Sequence, residues 1–356
     1  MKQWFLVSVI GVLATISLVT IGSVRPDLWS KQLLFFILGG GVYYFAQRVS
    51  FTRWLEWRWW LYGLTLVLLI LPMLLGHSSR NTSRWIELGF LRLQPSQLAI
   101  PLVALGSVWL LRVSPPSLSH LRKYLATVIA PAVLIFISPD LGTTVIFLSV
   151  FLCMLWFAQV ELKQLLLLGL IGLFGVGLSW FFVFKPYQRE RMISFIAGTQ
   201  QADQQHYNAA QALIAVGAGN LTGTGWGKGT QAQLQFLPEK QTDFIFSSFA
   251  QEYGFVGTTL LLVTTLSGVI YLLIAARRVS EKPASIYLIV AAMTLFFQAT
   301  INIGMNIGLF PITGVTLPFV SYGGSSILAL CLLLGICGSI LKRSQPHTHQ
   351  SLIPVL

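Results

Sequence analysis

Charge is what this sequence has least of: only 10% of its 356 residues are charged, and 11 are Asp or Glu. An ordinary soluble domain carries about 25% charged residues, so that class is excluded at once. Cysteine is scarce too. Cys153, Cys331 and Cys337 all fall within apolar runs, where cysteine packs as a small apolar side chain, and neither a disulfide nor a metal cluster is expected of them. The chain has no internal repeat, no low-complexity block and no separate soluble region. No basic stretch forms a soluble face of its own, so nucleic acid is not an expected partner despite a net charge of +12. The alternating pattern of barrel strands is missing as well. Because backbone groups in lipid must be satisfied internally, what remains is an all-α, polytopic membrane bundle.

What is present agrees with that reading: 55% of the residues are hydrophobic, with 24 Phe and 11 Trp. Apolar runs long enough to cross the hydrocarbon core lie near Trp4 to Ile21, Gln32 to Gln47, Trp59 to Leu75, Gln97 to Leu111, Leu125 to Ile137, Thr143 to Phe157, Leu165 to Phe184, Phe244 to Ala276, Ile286 to Leu309 and Ser325 to Leu341. They predict about ten spans. The first run has no obvious small-residue cleavage site and is followed by further spans, so it is read as a helix and not a signal peptide. Short loops on one side hold most of the basic residues, among them Arg48, Arg53, Arg58, Arg112, Arg122, Lys123, Arg277 and Arg278. The excess of Lys and Arg expected in cytoplasmic loops therefore puts both termini in the cytoplasm. Residues 1–342 read as one transmembrane domain, 343–356 as a cytoplasmic tail, and 185–242 as a long external loop between the seventh and eighth spans.

The external insertions carry the chemistry. The long loop is rich in Gln and Gly, and its apolar "YNAAQALIAVGAG" predicts a helix or re-entrant piece packed on the bundle. A second insertion, "RWIELGFLRLQPSQ", reads as a short interfacial hairpin around Gly89, followed by Pro95 in a first helical turn. "SPDLGTT" sets Asp140 at an external helix junction, where it either caps a helix or helps to bind a divalent ion. In "GLFPITGVTLPFVSYGGSS", Pro311 and Pro318 interrupt helix, and the glycines permit close backbone approach. Just before it, Gln298, Asn302 and Asn306 share one helix face and either bond between helices or line a substrate groove. Most conspicuous is "LPEKQTDFIF", which puts Glu239 and Asp243 at the mouth of an apolar segment. An acid at a membrane boundary points to function, though Asp243 also stands where it would cap the following helix. Glu252 lies further inside the helix, and packing against a polar partner is expected of it.

Taken in order, "RWIELGFLRLQPSQ", "SPDLGT", "YQRERM", "GTQAQLQFLPEKQTDFIF", "EYGFVG" and "NIGMNIGLFPITGVTLPFVSYGGSS" resemble the SEDS family (shape, elongation, division and sporulation), and most closely its elongation-type branch. That resemblance implies a peptidoglycan glycosyltransferase. It would polymerise lipid II with a β-1,4 linkage and release of undecaprenyl diphosphate, on the outer face of the bacterial cytoplasmic membrane. It also implies a class B penicillin-binding protein and the elongation machinery as partners, with cell-wall elongation and rod shape as the outcome. Asp243 becomes the general base. Arg189 and Arg191 are the expected ligands of the pyrophosphate, since forked guanidinium donors suit phosphate. Lys228, Glu239, Lys240, Gln298, Asn302 and Ser321 complete the expected substrate-binding set, and a divalent cation (Mg or Mn) would have Asp140 and Glu239 as candidate ligands. The sequence departs from the family at "QPSQLAI", where Gln97 and Ile100 replace an acid and a base. It departs again at Gly223, Thr224 and Gly225, where the family has a central lysine and the nearest here is Lys228, and at Ser138, which replaces a glutamine. Two rival functions fit the composition: a flippase for the same lipid-linked precursor, and a noncatalytic scaffold for the penicillin-binding protein. Broken helices and a polar face suit a transporter, but no inverted repeat is visible and the acids cluster outside the midplane.

Overall fold

The structure, a computed structural model, describes residues 4–75, 84–89, 91–113, 115–182, 184, 189, 193 and 204–343. In chain order its elements are α1 (Trp4–Val24), α2 (Trp29–Ala46), α3 (Phe51–Glu56), α4 (Arg58–Leu75), β1 (Ile86–Leu88), β2 (Leu91–Leu93), α5 (Pro95–Leu110), α6 (Leu118–Ile137), α7 (Leu141–Phe157), α8 (Leu162–Phe182), α9 (Gln204–Ala218), α10 (Thr230–Gln233), α11 (Ile245–Arg278), α12 (Lys282–Asn306) and α13 (Gly324–Arg343). All but the hairpin, α3, α9 and α10 coincide with the ten apolar runs. Five helices, α1, α6, α11, α12 and α13, are long and apolar enough to cross a membrane, and α4, α5, α7 and α8 are shorter apolar helices. The protein is a multi-pass helical membrane bundle. Arg343, assigned from the sequence to the tail, is the last residue of α13, where it and Lys342 oppose the helix dipole.

Burial ranks the helices. In the most apolar stretch of α13, 89% of residues are buried, against 33% in α1, so α13 is central and α1 peripheral. α13 packs on α2 and α5, and α12 packs on α11, α7 and α5. Small residues let the backbones approach, as expected where helices have no hydrophobic drive to associate in lipid. A Cβ at Gly335 would lie 2.9 Å from the Tyr43 carbonyl, and one at Gly39 would lie 2.9 Å from Cys331 Sγ. The three cysteines are free, and Cys331 and Cys337 are buried, as their apolar setting predicts.

The hairpin forms as expected, with Ile86 opposite Leu93 and Gly89 at φ 63° in the turn. The piece "YNAAQALIAVGAG" lies in α9, which packs on α11. The eighth span, read from the sequence as uninterrupted, is not: Gly254 has φ 62° and ψ −161°, which breaks the helical ladder of α11. Freed backbone groups must find partners in a membrane protein, and the loop after α9 supplies them. Phe255 and Val256 N–H groups donate to the Asn220 and Leu221 carbonyls at 2.9 and 3.1 Å. In return, Thr224 and Gly225 N–H groups donate to the Gln251 and Glu252 carbonyls at 2.9 and 3.1 Å. The glycine-rich segment around Gly223 is therefore a backbone splint for a broken helix.

Glu252 locks the splint to α1. It is 1% exposed, and its Oε1 accepts from Ser23 Oγ and, at 3.2 Å, from the Gly227 N–H. Trp226 Nε1 adds a bond to the Val19 carbonyl at 3.1 Å. The polar-partner role expected for Glu252 is thus what the structure shows. Glu252→Ala should cost about 1–3 kcal/mol, because buried donors lose their acceptor. Thermal unfolding in detergent measures it; an unchanged midpoint would mean that the lock contributes nothing.

Candidate active site

The segment Glu239–Asp243 is a tight turn leading into α11. Glu239 takes φ 49°, and its carbonyl accepts from Thr242 and Asp243 N–H groups at 3.0 and 3.1 Å. The α12 amides grip the far end of the turn: Asn302 and Asn306 Nδ2 both donate to the Asp243 carbonyl, at 3.2 and 2.9 Å. Asn302 also donates to the Val315 carbonyl at 2.7 Å, and Asn306 Oδ1 accepts from Ser247 Oγ at 2.6 Å. From the third side, Ser321 Oγ donates to the Thr242 carbonyl at 2.7 Å and the Tyr322 N–H to the Gln241 carbonyl at 2.8 Å. The backbone that presents Asp243 is therefore fixed by two elements remote in sequence.

The side chain is treated differently from the main chain. Asp243 is half-buried, and its carboxylate lies against Gly314, where a Cβ would sit 3.5 Å from Oδ2. Gly314 is exposed, with φ 72°, so a position that favours glycine leaves the carboxylate approachable from outside. The N-cap position of α11 belongs to Phe244 and carries no side-chain cap bond.

Other expected site residues separate into two groups. Lys240, Gln298, Asn302 and Ser321 are all buried, and Asn302 and Ser321 bond to the main chain of the turn from behind. Lys240 Nζ donates to the Ala232 carbonyl, which ties the turn to α10. Burial, followed by the Arg25 guanidinium, holds Lys240 below the ordinary lysine range, against a weaker pull from Asp27. Glu239 is half-buried, with Oε2 accepting from Gln241 Nε2 at 3.1 Å. Lys228 is exposed on the splint, and Arg189 Nη2 donates to the Phe181 carbonyl at 3.0 Å, at the end of α8. Arg191 lies outside the described residues.

Asp140 is a buried hub, 4% exposed. Its carboxylate caps α7 through the Thr143 N–H, accepts from Gln94 Nε2 at 2.6 Å and Ser96 Oγ at 2.8 Å, and lies 3.9 Å from Arg84 Nη1. Two residues on, Gly142 abuts the loop that carries Gly314: a Cβ there would meet the Thr313 carbonyl at 2.9 Å. Asp140 thus supports one wall of the site. Sequence reasoning missed Arg25, whose chelated partner is Asp27 at 2.9 and 2.8 Å. That hydrogen bond raises the Arg25 pKa against the opposing effect of burial, and the negative charges of Asp27 and then Glu239 add to the rise. No local signal could have revealed it, since the closeness is tertiary.

The family of FtsW, RodA and SpoVE cell cycle proteins matches residues 1–346. The chain belongs to this family. Among curated members of the FtsW/RodA/SpoVE family, the peptidoglycan glycosyltransferase MrdB of Escherichia coli is 33% identical over 83% of this chain and 79% of its own length. Stage V sporulation protein E of Bacillus subtilis is 33% identical over 88% of this chain and 87% of its own. A solved chain from a peptidoglycan synthase complex that coordinates polymerization and crosslinking superposes with TM-score 0.82 at 27% identity, covering 96% of this chain and 98% of that one. Thermus thermophilus rod shape determining protein RodA superposes with TM-score 0.73 at 26% identity over the same shares. As a family member, this chain has no acid–base pair in the first turns of α5: Gln97 is half-buried and Ile100 is 1% exposed.

Proposed function

We propose that this chain is a peptidoglycan glycosyltransferase that polymerises lipid II, with Asp243 as its general base. The observation that carries the residue assignment is the contrast at Asp243: its main chain is pinned by Asn302, Asn306 and the turn, while its carboxylate stands half-buried beside exposed Gly314. In the reaction the 4-hydroxyl of one GlcNAc attacks the anomeric carbon of another molecule's MurNAc. The new β-1,4 bond forms as the α-bond to undecaprenyl pyrophosphate breaks. Asp243 takes the hydroxyl proton, and the pyrophosphate leaves with the bonding electrons. A positioned base of this kind and positive charge at the leaving group are what such a transfer requires. Arg189 and Arg191 are the proposed pyrophosphate ligands, and Lys228 belongs to the proposed substrate-binding set.

No step is assigned to a divalent cation. Asp140 already accepts from Gln94, Ser96 and Thr143, and among the described residues no group of three His, Cys, Asp or Glu side chains could hold a metal. Among the described residues, no set of side chains is arranged to hold a metal.

The same reading places the Asp243 end of the bundle on the outer face of the bacterial cytoplasmic membrane, with both termini inside, and assigns the chain to elongation and rod shape. Its partner is a class B penicillin-binding protein within the elongation machinery. Support comes from the basic bias of the opposite end and from the likeness to a chain of a peptidoglycan synthase complex. Purified chain incubated with lipid II, with and without that partner, tests the proposal. Glycan polymer is expected, and faster with the partner; equal rates would reject activation. Lipid translocation without polymer, with or without the partner, would favour the flippase and overturn the proposal. Gln97→Ala should leave polymerisation largely intact, because no ion pair exists there to lose. A loss as complete as at Asp243, with normal folding, would give the amide a direct role.

A further inference from the structure

At the end of the bundle remote from Asp243, two guanidiniums share one tryptophan. Arg58 Cζ, at the start of α4, and Arg112 Cζ, just beyond α5, each lie 4.3 Å from the centre of the Trp109 ring. Arg58 also stands 5.8 Å from the centre of Trp59. The two cations are therefore no further apart than the sum of their distances to Trp109, and they repel. Neither forms an ion pair among the described residues, and exposed Glu56, two residues from Arg58, pairs with neither. Their hydrogen bonds go to local carbonyls, Arg58 to Leu55 at 2.5 Å and Arg112 to Trp109 at 3.2 Å. Arg58 Nε is buried with no hydrogen-bond partner at all. Around them Trp57, Trp59 and Trp60 are 43%, 44% and 84% exposed, the kind of aromatic girdle that marks a membrane–water boundary.

We propose that Arg58 and Arg112, which share the Trp109 ring, bind the headgroup phosphate of an anionic phospholipid. Cation–π stacking fixes both guanidinium planes at little cost in solvation, and forked donors match phosphate oxygens. A phosphate at the edge of the indole would relieve the repulsion between the cations and give the orphaned Nε an acceptor. Basic pockets between membrane helices are suited to such headgroups. A net anionic lipid is favoured over a zwitterionic one because two guanidiniums converge on Trp109 and Glu56 pairs with neither, which leaves the site with net positive charge.

The full chain, purified in a mild detergent and mixed with equimolar phosphatidylglycerol and phosphatidylcholine, tests this by native mass spectrometry. Retention of phosphatidylglycerol is expected to exceed that of phosphatidylcholine by about 10-fold or more, at roughly one favourable contact per arginine. Arg58→Gln with Arg112→Gln should abolish the preference. Arg112→Gln alone, at an exposed position that does not threaten folding, should weaken it severalfold, and Arg112→Lys should restore part of it. Equal retention of both lipids by the wild type, or an undiminished preference in Arg112→Gln, would overturn the proposal. Displacement of the lipid by millimolar inorganic phosphate would assign the site to free phosphate instead, and would overturn it too.

Discussion

Asp243→Asn is expected to lower lipid II polymerisation by about 10²–10⁴-fold, the usual contribution of a positioned general base. The variant isolates chemistry from architecture. The contacts that place residue 243 from Glu239, Asn302 and Asn306 run through its main chain, which Asn leaves untouched. Folding, membrane insertion and partner binding should therefore persist. Asn also matches Asp as an N-cap, so a structural role at the helix start would survive the change. Polymer formed from lipid II by equal amounts of the two proteins is the measurement. A variant running at the wild-type rate would remove Asp243 from the chemistry.

Gly254→Ala should produce the largest structural effect. A Cβ there would lie 2.3 Å from the Gly223 nitrogen and 2.7 Å from the Gly219 and Leu221 carbonyl oxygens, all of them backbone atoms. Its φ of 62° with ψ of −161° is also closed to alanine. Strain of this kind costs about 1–3 kcal/mol, and overpacking adds about 1–3 kcal/mol. The splint must then detach from α11, which exposes residues 219–229 and loosens the path through α10 and Lys240 to the catalytic turn. Thermal unfolding in detergent and limited proteolysis follow both effects. An alanine variant with the wild-type midpoint and a protected loop would show that the break in α11 does not depend on glycine.

What the sequence disclosed and what it hid follow from the range of the forces involved. The ten helices were legible because hydrophobic length is a local property, and the hairpin was legible from Gly89 and its apolar flanks. Asp243 stood out because a carboxylate beside "FIF" conflicts with its surroundings. The break at Gly254 did not, because one glycine in a long apolar run looks tolerable until the loop that satisfies its neighbours is seen. Gln298, Asn302 and Asn306 showed their shared face, but not whether it met substrate or backbone; only the fold turns Asn302 and Asn306 toward the Asp243 carbonyl. Asp140 read equally well as a helix cap or a cation ligand; its cap bond to Thr143 fits the first, but its bonds from Gln94 and Ser96 at the start of α5 are tertiary and had no local signal. Arg25 joined the site through tertiary closeness alone.

The measurement that bears most directly on the central claim is the pH dependence of initial polymerisation rates at subsaturating lipid II, for the wild type and Asp243→Asn side by side. A general base must be deprotonated to act, so the wild-type rate should fall along an acid limb as one carboxylate takes up a proton. The residual rate of the Asn variant should be low and should lack that limb. The same acid limb in both proteins would contradict the assignment of Asp243 as the base.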